Sequence, residues 1–227
     1  MKKYEFLLFD ADGTLLDFDR CEYEGLKLTF ADLGIYYDKQ THAVFNAVNK
    51  ALWRDYDDGK IQREKLLLLR FDIVFEKLGV VADSVLAESL YRDYLGKQHF
   101  VLDGATEILE YLKDKYRMFI VTNGIKKTQH TRLNESGLDK YFEKIFISDE
   151  IGFNKPHKEF FDIATAMIDG FEPTRALVIG DSLSGDIKGA NNAGLDCCWF
   201  NPSKVKMDRD VRVDFEINDL SKLYEIL

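Results

Sequence analysis

The rhythm of apolar and polar positions changes along the chain. Phe6-Leu7-Leu8-Phe9 is a short unbroken apolar run, the pattern of a strand covered on both faces. From about residue 18 to residue 97 the period becomes helical. Cys21, Tyr23, Leu26, Phe30 and Leu33 recur at helical intervals and stop at Gly34, and Val44, Phe45, Val48, Leu52 and Tyr56 form a second stripe ending near Asp57-Asp58-Gly59. Leu66, Leu67, Ile73, Val74 and Leu78 give a third, closed by Gly79. Val85, Leu86, Leu90, Tyr94 and Leu95 give a fourth, closed by Gly96. Four such helices form a small bundle, and their aromatics Phe45, Trp53, Tyr56 and Phe71 are read as its core in preference to a platform for stacking a base.

Beyond the helical stretch, short β-branched or aromatic runs alternate with amphipathic ones. Asp103 is placed as an N-cap ahead of a helix marked by Ile108, Leu109 and Leu112, and Met118-Phe119-Ile120-Val121 reads as the next strand. Residues 144–148, 176–179 and 196–200 are further strands, separated by helical patterns at 126–136, 157–168 and 184–193. Residues 213–217 and 220–227 supply one more strand and helix. This alternation predicts an α/β fold, a parallel sheet built from right-handed βαβ units, with the helical segment inserted after the first strand. No internal repeat, low-complexity tract or long linker interrupts it, and Asp17-Phe18-Asp19 and Gly96 are the expected hinges.

Composition narrows the function. The chain has 227 residues, 46% of them hydrophobic, enough for one sizeable core and a smaller module. Its apolar runs are too short to span a bilayer, and Met1-Lys2-Lys3 leads into acidic residues rather than a signal-peptide cleavage site, so the expected location is the cytoplasm. A formal net charge of −9 argues against nucleic-acid polymers and acidic membrane surfaces as partners. A small phosphorylated substrate remains compatible, because a metal ion, one lysine and helix N-termini can meet its charge locally. Cys21, Cys197 and Cys198 fit neither a zinc spacing nor a disulfide framework and are read as reduced and structural; His42, His99, His130 and His157 form no metal spacing either.

The candidate chemistry sits where the strands end. Asp10 and Asp12 follow the first strand, Thr122-Asn123-Gly124 the second, Lys155-Pro156 the third, and Gly180-Asp181-Ser182 with Asp186 the fourth. Parallel strands gather those ends at one edge of the sheet, where ligands bind in open α/β folds. Together they offer a carboxylate nucleophile, a neighbouring acid/base, a hydroxyl and amides for phosphate oxygens, a cation, and carboxylates for Mg2+.

In order and in residue type, Asp10-x-Asp12-Gly13-Thr14, Thr122-Asn123-Gly124, Lys155-Pro156 and Gly180-Asp181-Ser182-x-x-x-Asp186 resemble the four motifs of the haloacid dehalogenase superfamily. The resemblance implies a Rossmann-like core of residues 1–17 and 100–227, a four-helix cap of the C1 kind at 18–99, and Mg2+-dependent phosphatase activity. By position, Asp10 resembles the nucleophile that becomes an aspartyl-phosphate, and Asp12 the acid that protonates the leaving alcohol and then activates water. Asp10, Asp181 and the backbone oxygen of Asp12 would hold Mg2+. Thr122, Asn123, Gly124 and Lys155 would bind the phosphate, Lys155 also serving catalysis, and Asp186 would orient Lys155 or a metal-bound water. The longer stretch from Gly180 to Ile187, with Asn192-Ala193-Gly194 and Trp199-Phe200-Asn201-Pro202, is similar to the noncanonical pyrimidine 5'-nucleotidase group, which implies a nucleoside 5'-monophosphate as substrate. A sugar-phosphate phosphatase or phosphomutase, or a non-catalytic phospho-acceptor module, are the alternatives; a dehalogenase is disfavoured because it has no need of the acid/base at Asp12.

Overall fold

The computed structural model describes residues 4–208 and 210–227, so Met1-Lys2-Lys3, read above for targeting, lies outside the described residues. The chain divides into two compact units: one takes the chain up to Phe18 together with His99–Leu227, the other is Asp19–Gln98. Among the described residues no helix is long and apolar enough to cross a membrane.

The first unit is built on a six-stranded parallel sheet. In chain order it contains β1 (Phe6–Phe9); the helix at Phe18–Asp32, α1, begins at its border and belongs mostly to the other unit. The other unit continues with α2 (Lys39–Asp57), α3 (Arg63–Leu78) and α4 (Ser84–Leu95). The sheet unit resumes with α5 (Ala105–Leu112), β2 (Arg117–Thr122), α6 (Lys126–Glu135), β3 (Lys144–Ile147), α7 (Ser148–Ile151) and α8 (Lys158–Ala166). It ends with β4 (Ala176–Gly180), α9 (Lys188–Ala193), β5 (Asp196–Phe200), β6 (Phe215–Ile217) and α10 (Leu223–Ile226). The strand order is β3-β2-β1-β4-β5-β6, so the chain reverses direction across the sheet beside β1. That is the switch point at which such sheets open a crevice beyond their carboxyl ends.

Alternation along the strands sends side chains to two cores. Leu7, Phe9, Ile120, Ile179 and Cys198 pack with Ile108, Leu109 and Leu112 of α5, while Phe6, Leu8, Val121, Val178 and Cys197 pack with Phe160 and Phe161 of α8. The neighbours Cys197 and Cys198 thus face opposite layers. All three cysteines are free and buried, and burial pushes the Cys197 and Cys198 thiols up to about 11 and about 12. Truncating a fully buried strand residue such as Phe9 to alanine in such a core costs about 3–5 kcal/mol. Rigid strands are what hold their terminal residues at fixed spacing.

Several local expectations are corrected. Gly104, at φ +80°, is the N-cap of α5 rather than Asp103, because only a residue tolerant of the left-handed region turns the chain there. Ser148 opens α7 instead of closing β3. The helix expected at 184–193 begins with a wide π turn, Leu183–Ile187, before α9, and the C-terminal helix begins with a tight turn at Leu220–Lys222.

In the helical unit the α3 stripe is inward, with Leu66 and Val74 fully buried, whereas α4 presents a different face from the one its apolar stripe indicates. Arg70 and Glu88 are buried, whereas Val85 and Leu86 are exposed, as is Leu68. Arg70 forms a two-pronged ion pair with Glu88 at 2.6 and 2.7 Å and reaches Asn49 of α2, which donates to Glu22 of α1 at 2.8 Å. One polar thread therefore crosses all four helices, wrapped by Phe45, Phe71 and Tyr91 around the Arg70 guanidinium. A buried guanidinium without its carboxylate would be costly, and this pairing sets the helix phases. Of the four aromatics expected in the core, Phe45 and Phe71 are there; Trp53 and Tyr56 are half-buried and touch edge to face.

Candidate active site

The site is assembled by register. Phe9 pairs with Ile120 on one side and Ile179 on the other, so the residues that follow, Asp10, Val121 and Gly180, emerge at one level. The backbone N–H of Asp10 still donates to Ile179 at 2.8 Å, which anchors the carboxylate to the sheet itself. Lys155 arrives from the loop between α7 and α8, and its ammonium is the hub. Nζ donates to Asp10 Oδ1 at 2.6 Å, Asp186 Oδ1 at 2.6 Å and the Val121 carbonyl at 2.7 Å. An ammonium has three protons, and all three are committed. Asp10 Oδ2 accepts no hydrogen bond from the described residues, so its lone pairs stay open to a new bond.

The Lys155 loop is held from two sides. The Asn123 side chain donates to Lys155 O and accepts from Lys155 N, both at 2.8 Å, imitating a pair of sheet hydrogen bonds, and Asn192 donates to Pro156 O at 2.9 Å. Asn123 therefore uses its side chain to seat the lysine. Thr122 Oγ1, buried, accepts from Gly124 N at 3.1 Å and from Gln129 Nε2 at 2.8 Å. With both lone pairs taken, its own proton is the part left to donate to an incoming oxygen.

The fourth motif explains the π turn. Ser182 Oγ accepts from Gly185 N at 3.0 Å, while Asp186 Oδ2 accepts from Ser182 N at 3.0 Å. The widened turn aims Asp186 back at Lys155, as π turns at functional sites often do. Its carboxyl lies against Gly180, where a Cβ would stand 2.3 Å from Asp186 Cγ. Gly180→Ala should consequently displace Asp186 and cost about 1–3 kcal/mol by overpacking, read from the shift of the urea midpoint; an unshifted midpoint would show that the turn yields freely. Gly13, at φ +80°, makes similar room for Asp181: a Cβ there would come within 2.6 Å of its Oδ2. Trp199 fixes Asp181 from the other side, its indole donating to the Asp181 carbonyl at 2.8 Å.

Electrostatically the site is short of positive charge. Asp10, Asp181 and Asp186 can each offer an oxygen within 4.8 Å of the others, and Lys155 is the cation that bonds Asp10 and Asp186. Burial raises the Asp10 carboxyl well above its usual value; Lys155 opposes this, and Asp186 and Asp181 add to it. Asp181 has an exposed surface yet stands among close walls, and desolvation followed by repulsion from Asp186 raises its carboxyl to about 8. Burial works against the Lys155 charge, but Asp10 and Asp186 outweigh it and hold the ammonium above the ordinary lysine range. An all-oxygen cluster with excess negative charge and one open carboxylate suits a hard divalent cation.

This ordered set matches a known family. A family model described as haloacid dehalogenase-like hydrolase covers residues 4–194. The chain belongs to the haloacid dehalogenase-like hydrolase family. It is similar to the HAD-hydrolase YfnB of Bacillus subtilis, 40% identical over 227 residues, with 100% of this chain and 97% of that protein covered. A crystal structure of YfnB bound to magnesium superposes with a TM-score of 0.96 over 100% of this chain and 99% of that one. Two further relatives are the pyrimidine 5'-nucleotidases PynA of Streptococcus pneumoniae, 36% identical with 99% of this chain and 95% of the relative covered, and YjjG of Escherichia coli, 32% identical with 99% and 98% covered.

Every motif residue singled out in the sequence of this hydrolase lies at the carboxyl edge of its sheet or in the loop that reaches it. Gln129 and Arg132, which the sequence reading did not single out, also belong to the site. Gln129 and Arg132 of α6 both reach Asp12. Their signal was the polarity of α6 itself, a helix whose buried side carries Thr128, Gln129 and Arg132 beside Leu133 rather than an apolar stripe.

Proposed function

We propose that this hydrolase is a Mg2+-dependent phosphomonoesterase that works through an aspartyl-phosphate on Asp10 and acts on nucleoside 5'-monophosphates, pyrimidine ones foremost. The observation that carries the reading is the Lys155 hub, which holds one oxygen of the buried Asp10 at 2.6 Å and leaves the other open. Asp10 attacks phosphorus as the ester P–O bond breaks, and the leaving oxygen takes a proton from Asp12. Water then attacks the phosphoryl group and returns a proton to Asp12, the Asp10–phosphorus bond breaks, and inorganic phosphate departs. Asp12 is two residues from the nucleophile and half-buried, within reach of the apical oxygens of an in-line displacement.

Thr122 Oγ1 and the amide of Asn123 receive the equatorial oxygens, the Gly124 amide joining them only if it gives up its 3.1 Å bond to Thr122 Oγ1, and Lys155 keeps the cluster compact against the added charge. A direct Lys155 contact with phosphate requires it to exchange one of its three protein acceptors. Asp10, Asp181 and the Asp12 backbone oxygen would hold Mg2+, with Asp186 holding Lys155. When bound, the ion lessens repulsion between Asp10 and the anionic ester. The cradle at Gly13 and the oxygen-only donor set fit such an ion. The same reading makes residues 18–99 a C1-type cap to the core of 1–17 and 100–227. The nucleotide assignment is supported by PynA and YjjG, whose names state that activity.

The test is kcat/KM for thymidine, uridine and purine 5'-monophosphates beside sugar phosphates and an aryl phosphate, each with Mg2+ and with chelator. Pyrimidine nucleotides should lead by about tenfold or more, and chelation should remove about 10³-fold or more of the rate, because the cation carries transition-state charge. A tenfold preference for a sugar phosphate would overturn the nucleotidase assignment alone. Full rates in chelator would overturn the cation, phosphate migration in place of release would indicate a mutase, and a single phosphate taken up per chain would indicate an acceptor module.

A further inference from the structure

Gln129 and Arg132 lie one turn apart on α6, and both are buried, at 1% and 0% exposure. Burying an amide and a guanidinium is unfavourable unless their donors are satisfied, so a leucine at either place would pack at lower cost. Their partners explain their presence. Gln129 Nε2 donates to Asp12 Oδ2 at 2.9 Å and to Thr122 Oγ1 at 2.8 Å, which uses both protons of the amide nitrogen. Arg132 Nη1 donates to Asp12 Oδ1 at 2.5 Å and to Gln129 Oε1 at 3.2 Å. Each oxygen of Asp12 is thus held by a different side chain, and the two holders are tied to each other.

Gly124 belongs to the same arrangement. A Cβ at that position would stand 2.4 Å from both Cγ and Cδ of Gln129 and 2.7 Å from its Nε2. The third residue of Thr122-Asn123-Gly124 is small so that the glutamine can cross behind the loop.

We propose that Gln129 and Arg132 are positioning residues for Asp12, and that Gln129 sets the distance between Asp12 and the phosphate oxygens received at Thr122. The proposal rests on the roles given to Asp12 and Thr122 above. Its consequence is selective. An ester whose leaving oxygen needs a proton depends on where Asp12 stands, whereas an aryl ester with an acidic leaving group departs with little help.

The experiment compares Gln129→Met, which keeps length without donors, Gln129→Glu, which sets a carboxylate against Asp12, Arg132→Met and Arg132→Lys. Each is assayed with a nucleoside 5'-monophosphate at steady state and with p-nitrophenyl phosphate in the pre-steady-state burst, which reports attack by Asp10 alone. Gln129→Met should lower kcat for the nucleotide about tenfold with KM within about threefold, and leave the burst rate within about threefold. Gln129→Glu should be worse, and Arg132→Lys should recover part of what Arg132→Met loses. In an Asp12→Asn background, Gln129→Met should add less than about twofold, because residues acting as a unit are not additive. Equal losses with both esters, or full additivity with Asp12→Asn, would overturn the positioning role while the phosphatase reading stands. A silent Asp12→Asn would instead overturn the role of Asp12, and this proposal with it.

Discussion

Asp10→Asn should abolish turnover and leave the protein at least as stable as before. An amide oxygen is a poor nucleophile, and the substitution removes a cation ligand as well, so kcat should fall by roughly four orders of magnitude or more. Stability should move the other way. Burial raises the Asp10 carboxyl well above its ordinary value of 3.8, so over the interval between the two values the folded chain binds more protons than the unfolded one. Stability contributed by this group therefore falls as pH rises from about 4, and an amide removes that loss. In chelator at neutral pH the variant should melt no lower than the parent. Phosphate release at near-parental rate by a folded Asp10→Asn protein would refute the nucleophile; a lower melting temperature would mean that the bond to Lys155 outweighs the burial of the carboxylate.

Lys155→Met should lose both. The methionine keeps an apolar stem of similar length but leaves Asp10 and Asp186, both buried, facing each other and Asp181 with no ammonium between them. Removing one partner of a buried ion pair costs about 3–5 kcal/mol, most of it the penalty of the charge left behind. Denaturant unfolding should show a loss of that order, and kcat should drop at least about 10²-fold because charge near the transferring phosphoryl group is no longer stabilised. Combining Lys155→Met with Asp10→Asn should restore part of the stability and none of the activity, since the two groups share one interaction. A neutral Lys155→Met, in stability and in rate, would show that the hub is incidental.

The residues that mark the narrower resemblance to nucleotidases act on the core in this structure. Trp199 fixes the Asp181 carbonyl, Asn192 holds Pro156, and Asn201 of Trp199-Phe200-Asn201-Pro202 ties Val205 and Glu216 together. Trp199 and Asn192 thus brace the loops that carry Asp181 and Lys155. Choice of leaving group is a separate matter, which is why the substrate panel is the test of the nucleotide assignment.

How much was legible in the chain follows from the range of each interaction. Phe6-Leu7-Leu8-Phe9 and its counterparts announce parallel strands because a strand buried on both faces must be apolar throughout, and Asp10, Thr122 and Asp181 stand out because polar residues end those runs. Helix existence in residues 18–97 was equally local. The phase of α4 was not, since Glu88 sits in the core only because Arg70, eighteen residues away, comes with it. The π turn before α9 depends on Asp186 finding Lys155 and the space above Gly180. Gln129 and Arg132 are the clearest case: they meet Asp12 across 117 and 120 residues, and no window of sequence contains both ends of either contact. The sequence by itself determined the class of fold and the edge of the sheet where the polar motif residues gather, because those are set by periodicity and by strand ends. The tertiary structure alone decided which polar side chains are buried and what they hold, because the cost of burying a charge or an amide is met only by a partner brought up by the fold.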